Sequence, residues 1–180
     1  MKYVIKYMQD QVLANWNTSL KEMSYNSGNW VLESWKNSLD QFYYDDIDIA
    51  FYGDSNTMQG NWQNYFPEKK VINLGIAGDS IDGMKDRIKM LNAVNPKKVF
   101  IMGGINSITS DNIEDSVERY SQMLDMIAQE LPETKIYVQS TLPTYPIWDP
   151  WKKVNNEYIQ IFNKKLEKVC IDNKCEFIDL

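Results

Sequence analysis

From Ile47 to the end of the chain, short apolar runs alternate with amphipathic stretches, and that alternation limits the folds open to this sequence. The runs are Ile47 to Tyr52, Lys70 to Leu74, Lys98 to Met102, Lys135 to Ser140 and Cys175 to Leu180, each of strand length. Between the second and third, Met84, Ile88 and Leu91 share one helical face up to about Ala93, where Asn95-Pro96 stops the helix. Between the third and fourth, Ile113, Val117, Tyr120, Leu124, Ile127 and Leu131 recur at three- to four-residue spacing. Asp111 with Glu114 predicts a capping box at the start of that helix, and Pro132 ends it. Between the fourth and fifth, a helix is expected from about Lys153 to Ile171, with Val154, Tyr158, Phe162, Leu166 and Val169 inward.

Strands that alternate with helices close into a parallel sheet through right-handed crossovers. With five strands, the doubly wound order 2-1-3-4-5 follows, a three-layer flavodoxin-like α/β sandwich with helices on both faces. Ligands in such sheets bind outside the carboxyl ends of the strands, here between the first and third. Residues 1–45 show no strand pattern. Trp30, Val31, Trp35 and Leu39 can form one face of a helix over Asn29–Leu39, and a second helix falls near Tyr3–Leu13. This predicts a helical N-terminal extension, 1–45, ahead of one domain, 46–180.

At 180 residues the chain can bury a sizeable core. Its net charge of −6 argues against a nucleic-acid or anionic-membrane partner. No apolar run approaches the roughly 18 residues that span a bilayer. Cys170 and Cys175 read as reduced core thiols, which suits a cytoplasmic protein; one cysteine pair without histidine makes a poor zinc site. The chain contains no histidine at all, so the commonest general base near neutral pH is missing.

The strand ends carry a chemical set. The first delivers Gly53-Asp54-Ser55, the second Gly75 and Gly78, the third Gly103, Gly104 and Asn106. A serine at the end of a strand and the start of a helix either caps that helix or attacks a ligand. Acyl transfer needs an attacking hydroxyl and preorganised donors for the oxyanion. The backbone N–H groups of Ser55 and Gly78 and the Asn106 carboxamide can supply three such donors.

These blocks resemble the SGNH hydrolases, the GDSL-type esterase/lipase family. Gly53-Asp54-Ser55 matches the first block, and Asn73-Leu74-Gly75-Ile76-Ala77-Gly78-Asp79 matches the second, with the oxyanion glycine at Gly78. The third, Gly-x-Asn-Asp in the family, reads Gly104-Ile105-Asn106-Ser107 here, with Ser107 in place of the final aspartate. The Gly-x-Ser-x-Gly elbow of the other large esterase fold is absent, since Thr57 stands at its last glycine. The resemblance spans about residues 45–180 and implies a serine esterase with Ser55 as nucleophile and Ser55, Gly78 and Asn106 as oxyanion hole. It implies no metal or organic cofactor, and a small ester as substrate, such as an acylated carbohydrate or a lysophospholipid. The family's fourth block, an Asp-x-x-His that supplies the base, has no counterpart up to Leu180. The expectation is therefore a truncated esterase core, inactive or nearly so, with a non-catalytic binding module as the alternative. Loss of a covering helix would leave one sheet face for pairing with a second copy.

Other candidates have quieter readings. Asp54 more readily braces the turn than touches substrate. Asp79 and Asp82 suit a helix start. Trp62, Tyr65, Trp148 and Trp151 are candidates for an aromatic wall beside the crevice, with Trp62 and Trp148 the best placed, or simply pack. No lysine is reliably placed near Ser55 to act as base, and Asp179 alone is a poor substitute for an Asp-His pair.

Overall fold

A computed structural model of the chain describes residues 46–144 and 155–180. The expectations for residues 1–45, and for Trp148 and Trp151, lie outside the described residues. Five parallel strands form one sheet in the order β2-β1-β3-β4-β5: β1 (Ile49–Gly53), β2 (Val71–Gly75), β3 (Lys98–Met102), β4 (Lys135–Gln139) and β5 (Glu176–Ile178). The expected order holds. The observed β1 and β2 begin and end one or two residues later than the apolar runs suggest, so that Gly53 and Gly75 are themselves paired in the sheet.

The helices are α1 (Ser55–Met58), α2 (Trp62–Tyr65), α3 (Ile81–Asp86), α4 (Lys89–Val94), α5 (Ile113–Glu130) and α6 (Asn156–Asp172). On one sheet face, Ala50, Tyr52, Val99, Ile101 and Val138 are fully buried. The Tyr52 hydroxyl donates to the Met84 carbonyl of α3, α3 packs on α5, and α5 packs on α6 through an edge contact of Tyr120 with Phe162 at 6.1 Å. The other face carries an aromatic row at one register level. Phe51, Phe100 and Tyr137 stack across three strands at 5.2 and 4.7 Å, and Trp62 of α2 lies on Phe51 at 4.0 Å. Ring stacking of this kind adds roughly 0.5–1.5 kcal/mol per pair beyond the buried area. Phe100 and Tyr137 remain half-buried.

Two local expectations are corrected. The segment 81–94 is two helices rather than one, with the break at Arg87 and Ile88. Arg87 leaves the helical path because its guanidinium turns inward to bond strand carbonyls, as described below. Asn95, at φ 39°, then ends α4 before Pro96. The capping box at Asp111 does not form either. Asn112 is the residue before α5, its side chain accepting from the Thr109 N–H and donating to the Ser107 carbonyl, while Glu114 pairs with Lys165 at 2.7 Å. An asparagine that satisfies both its donor and its acceptor in the preceding loop outcompetes an exposed capping aspartate.

The short helix α1 rests directly on the strand ends. A β-carbon at Gly75 would lie 2.2 Å from the Met58 nitrogen, and one at Gly53 would lie 2.0 Å from the Met102 carbonyl oxygen. Asn73 locks this seat: its amide nitrogen is within hydrogen-bond reach of the carbonyls of Thr57, Met58 and Gly60, and its oxygen accepts from Gly75 N–H. The substitution Gly75→Ala is expected to destabilise the chain by about 2–3 kcal/mol, since backbone rather than a flexible side chain must move. Urea unfolding monitored by circular dichroism measures it; a loss below 0.5 kcal/mol would show that α1 is not seated on β2.

Candidate active site

Three loops converge at the carboxyl ends of β1, β2 and β3. Asp54 is the N-cap of α1: its backbone is extended, and its Oδ1 accepts from the Asn56 N–H at 2.9 Å. Capping thus falls to Asp54, which leaves the half-exposed Ser55 hydroxyl with no hydrogen bond to any described residue. The turn is tied to its neighbours through the backbone. Asp54 N–H donates to Met102 O at 3.2 Å, and Ile76 N–H donates to Gly53 O at 2.9 Å.

The loop after β2 carries Gly78, which is exposed and has φ 75°. A side chain there would meet nothing, so the backbone conformation, rather than crowding, selects glycine. Asn106 reaches across from the loop after β3, its Nδ2 donating to Asp79 O at 2.8 Å. One hydrogen of that amide is engaged and the second is open for a ligand. Ser107, where the family pattern has aspartate, accepts from Ile81 N–H at 2.9 Å and so caps α3 together with Ser80. The structure thereby brings Ser55, Gly78 and Asn106 to adjacent, mutually hydrogen-bonded loops.

Trp62 is engaged in packing. Its ring covers Phe51, and its Nε1 donates to Thr57 O at 2.7 Å. It thus holds the end of α1 instead of standing free as a wall. Trp148 lies outside the described residues.

Arg87 is the residue that sequence reasoning missed. It is 3% exposed and sits beneath the site. Its Nε donates to Asp79 Oδ2 at 2.6 Å, Nη1 to Leu74 O at 2.8 Å and Nη2 to Gly53 O at 2.9 Å, with the guanidinium 4.2 Å from the centre of the Tyr52 ring. Burial raises the Asp79 carboxyl above its ordinary value, opposed by the Arg87 charge. A β-carbon at Gly83 would lie 2.0 Å from Asp79 Oδ1, so that glycine makes room for the ion pair. The sequence carries no local signal for it, since Arg87 stands among Asp82, Lys85, Asp86 and Lys89 and reads as one more charge on a solvated helix face.

Among the described residues, no three His, Cys, Asp or Glu side chains are grouped to hold a metal ion. No helix among them is long and apolar enough to cross a membrane. Burial pushes the Cys170 thiol up to about 12 and Cys175 up to about 11, which disfavours thiolate chemistry at either.

Residues 43–180 match the GDSL-like Lipase/Acylhydrolase family, and the chain belongs to it. The chain is 26% identical over 149 residues to subunit alpha2 of platelet-activating factor acetylhydrolase IB from Rattus norvegicus, an alignment that covers 76% of this chain and 64% of that protein. The match therefore spans less than two thirds of the curated relatives' length. Among solved structures, one from Streptococcus pneumoniae, whose description refers to a platelet activating factor, superposes with a TM-score of 0.72 at 23% identity, covering 96% of this chain and 80% of that one. A GDSL-like lipase from Bacteroides thetaiotaomicron gives a TM-score of 0.69 at 19% identity, covering 82% and 77% of the two chains. These two likenesses establish the shared fold.

Asp54 is 1% exposed, and its Oδ2 has no hydrogen-bond partner among the described residues. Burial is the main cause that pushes its carboxyl up to about 6 from the ordinary 3.8, with the Asp79 charge adding and the Asn56 N–H opposing. Between those values the folded chain keeps a proton that the unfolded chain has released. The stability this group contributes is present below pH 4 and is lost as pH rises through 6. The substitution Asp54→Asn keeps the cap and removes the buried charge. It is expected to stabilise the chain by about 1–2 kcal/mol at pH 7.5 and by nearly nothing at pH 4. Denaturant titrations at the two pH values decide; equal effects at both would show that Asp54 is not held as a buried acid.

Proposed function

We propose that this chain is the core of a serine acyl-ester hydrolase, with Ser55 as nucleophile and the N–H groups of Ser55 and Gly78 and Asn106 Nδ2 as oxyanion donors. The observation that carries this reading is the Asn106–Asp79 bond, which brings a carboxamide with a spare hydrogen to the residue beside Gly78, across from a serine hydroxyl left unoccupied. The family supplies the reaction class. In the proposed cycle, Ser55 Oγ attacks the ester carbonyl and loses its proton to a base. The tetrahedral oxyanion settles among the three donors, and its collapse expels the alcohol, which takes a proton, and leaves acyl-Ser55. Water then releases the acid and regenerates the serine. Acetyl and other short acyl esters are the proposed substrates, a reading prompted by the acetylhydrolase name of the curated relatives.

The 180 residues hold no imidazole, and water is a poor base for a hydroxyl. Turnover by this polypeptide is accordingly proposed to be weak and base-limited. A non-catalytic, ester-binding role is the second reading, favoured by the same lack of histidine.

Hydrolysis of p-nitrophenyl acetate with and without added imidazole tests this. After subtraction of the Ser55→Ala background, imidazole is expected to raise the Ser55-dependent rate by about tenfold or more, a diffusing base falling short of the roughly 100- to 10,000-fold of a positioned one. A rate unchanged by Ser55→Ala at every imidazole concentration would sink the enzyme reading. Saturable, unhydrolysed binding of the ester in that same case would favour the binding role.

A further inference from the structure

Arg87 touches no solvent-facing part of the crevice, yet it contacts both halves of it from below. We infer that Arg87 is a positioning residue: through Asp79 it sets the orientation of the Gly78 N–H, and through Gly53 O it fixes the Ser55 turn to the same rigid body. This rests on the role proposed for Ser55, Gly78 and Asn106.

The geometry supports it from four sides. Residue 79 is held at both ends: its carboxylate by Arg87 Nε at 2.6 Å and its carbonyl by Asn106 Nδ2 at 2.8 Å. The Asp79 N–H also donates to Ile76 O at 3.3 Å, closing a tight turn whose central peptide, Ala77–Gly78, carries the Gly78 N–H; holding residue 79 therefore limits rotation of that peptide, although Gly78 itself is exposed. Gly53 O accepts from Arg87 Nη2 at 2.9 Å and from Ile76 N–H at 2.9 Å, so the serine turn and the glycine loop share one acceptor. Leu74 O takes Nη1 at 2.8 Å, and the Tyr52 ring stacks 4.2 Å from the guanidinium, so the planar fork has a fixed tilt. A lysine has the charge but only one nitrogen, and cannot reach three acceptors spread over two strands and a loop. A buried pair of this kind is a weak source of stability, because desolvation offsets most of the attraction. The reward for retaining it lies in the orientation of its partners.

The test uses the full chain and the variants Arg87→Lys, Asp79→Asn and their double. Residual dipolar couplings of the backbone amides report the direction of the Gly78 N–H bond. Ser55-dependent hydrolysis of p-nitrophenyl acetate in imidazole buffer reports function. Each single variant is expected to turn the Gly78 N–H away from its native direction and to lower kcat about 10- to 100-fold, part of the roughly 100- to 1,000-fold that outright loss of one oxyanion donor costs, with KM within about threefold. The double variant is expected to lose no more than the worse single, because both act through one connection. A fall in melting temperature with kcat and the Gly78 coupling unchanged would overturn the inference and leave Arg87 a purely stabilising residue. Should Arg87→Lys fail to fold, Asp79→Asn alone decides, since it leaves an acceptor oxygen facing Arg87. Should the wild-type chain show no Ser55-dependent turnover, the proposed function fails, and the Gly78 coupling alone decides the positioning role.

Discussion

The buried guanidinium of Arg87 is the point on which the site end of this fold depends. Parallel strands finish with carbonyls that have no further strand partner, and a sheet end that opens into a crevice cannot hide them in a helix. Here the carbonyls of Gly53 and Leu74 are taken by one side chain, whose Nε–H donates to Asp79 and whose charge that carboxylate balances. The arrangement explains several features that otherwise look unrelated. The 81–94 segment breaks in two so that Arg87 can turn inward. Residue 83 is glycine because the Asp79 carboxylate occupies the space of a side chain. Tyr52, on the strand leading to the serine, offers its ring face to the cation and its hydroxyl to Met84.

Around that anchor, the division of labour between Asp54 and Ser55 decides what the serine can do. A serine at the first turn of a helix ordinarily caps it and is chemically quiet. Asp54 takes the cap, at the expense of a buried carboxyl pushed up to about 6. The turn holds a costly buried acid, and the half-exposed serine hydroxyl is left without a hydrogen bond to any described residue. Local expense of this sort is common at functional sites and rare elsewhere.

The sheet order and the three loops were legible in the sequence because they depend on repeated, local signals. Five apolar runs at βα spacing predict the order, and Gly53-Asp54-Ser55, Gly78 and Asn106 each stand just after a run. What was not legible depends on side-chain direction. Nothing within a few residues of Arg87 says that its charge points into the core, since periodicity places the Met84, Ile88 and Leu91 face and is silent about position 87. Trp62 looked equally suited to a crevice wall or to packing, and only the cross-strand register, which sets Phe51 beside Phe100, shows the ring it covers. The start of α5 was misjudged because an Asp-x-x-Glu pattern predicts a bond within the helix start, whereas the Asn112 side chain turns back to the Thr109 N–H and the Ser107 carbonyl of the loop before it.

The nucleophilic role proposed for Ser55 should leave a covalent signature even where turnover is slow. Intact-mass and peptide mass spectrometry after exposure to a fluorophosphonate probe tests this most directly. In the proposed reaction fluoride is displaced by the serine oxygen, and the tetrahedral phosphonyl adduct places its oxygen among the proposed oxyanion donors. One adduct per chain, confined to Ser55 and absent from Ser55→Ala, is the expected result. No adduct after prolonged exposure of the folded chain, or an adduct that persists in Ser55→Ala, would contradict it.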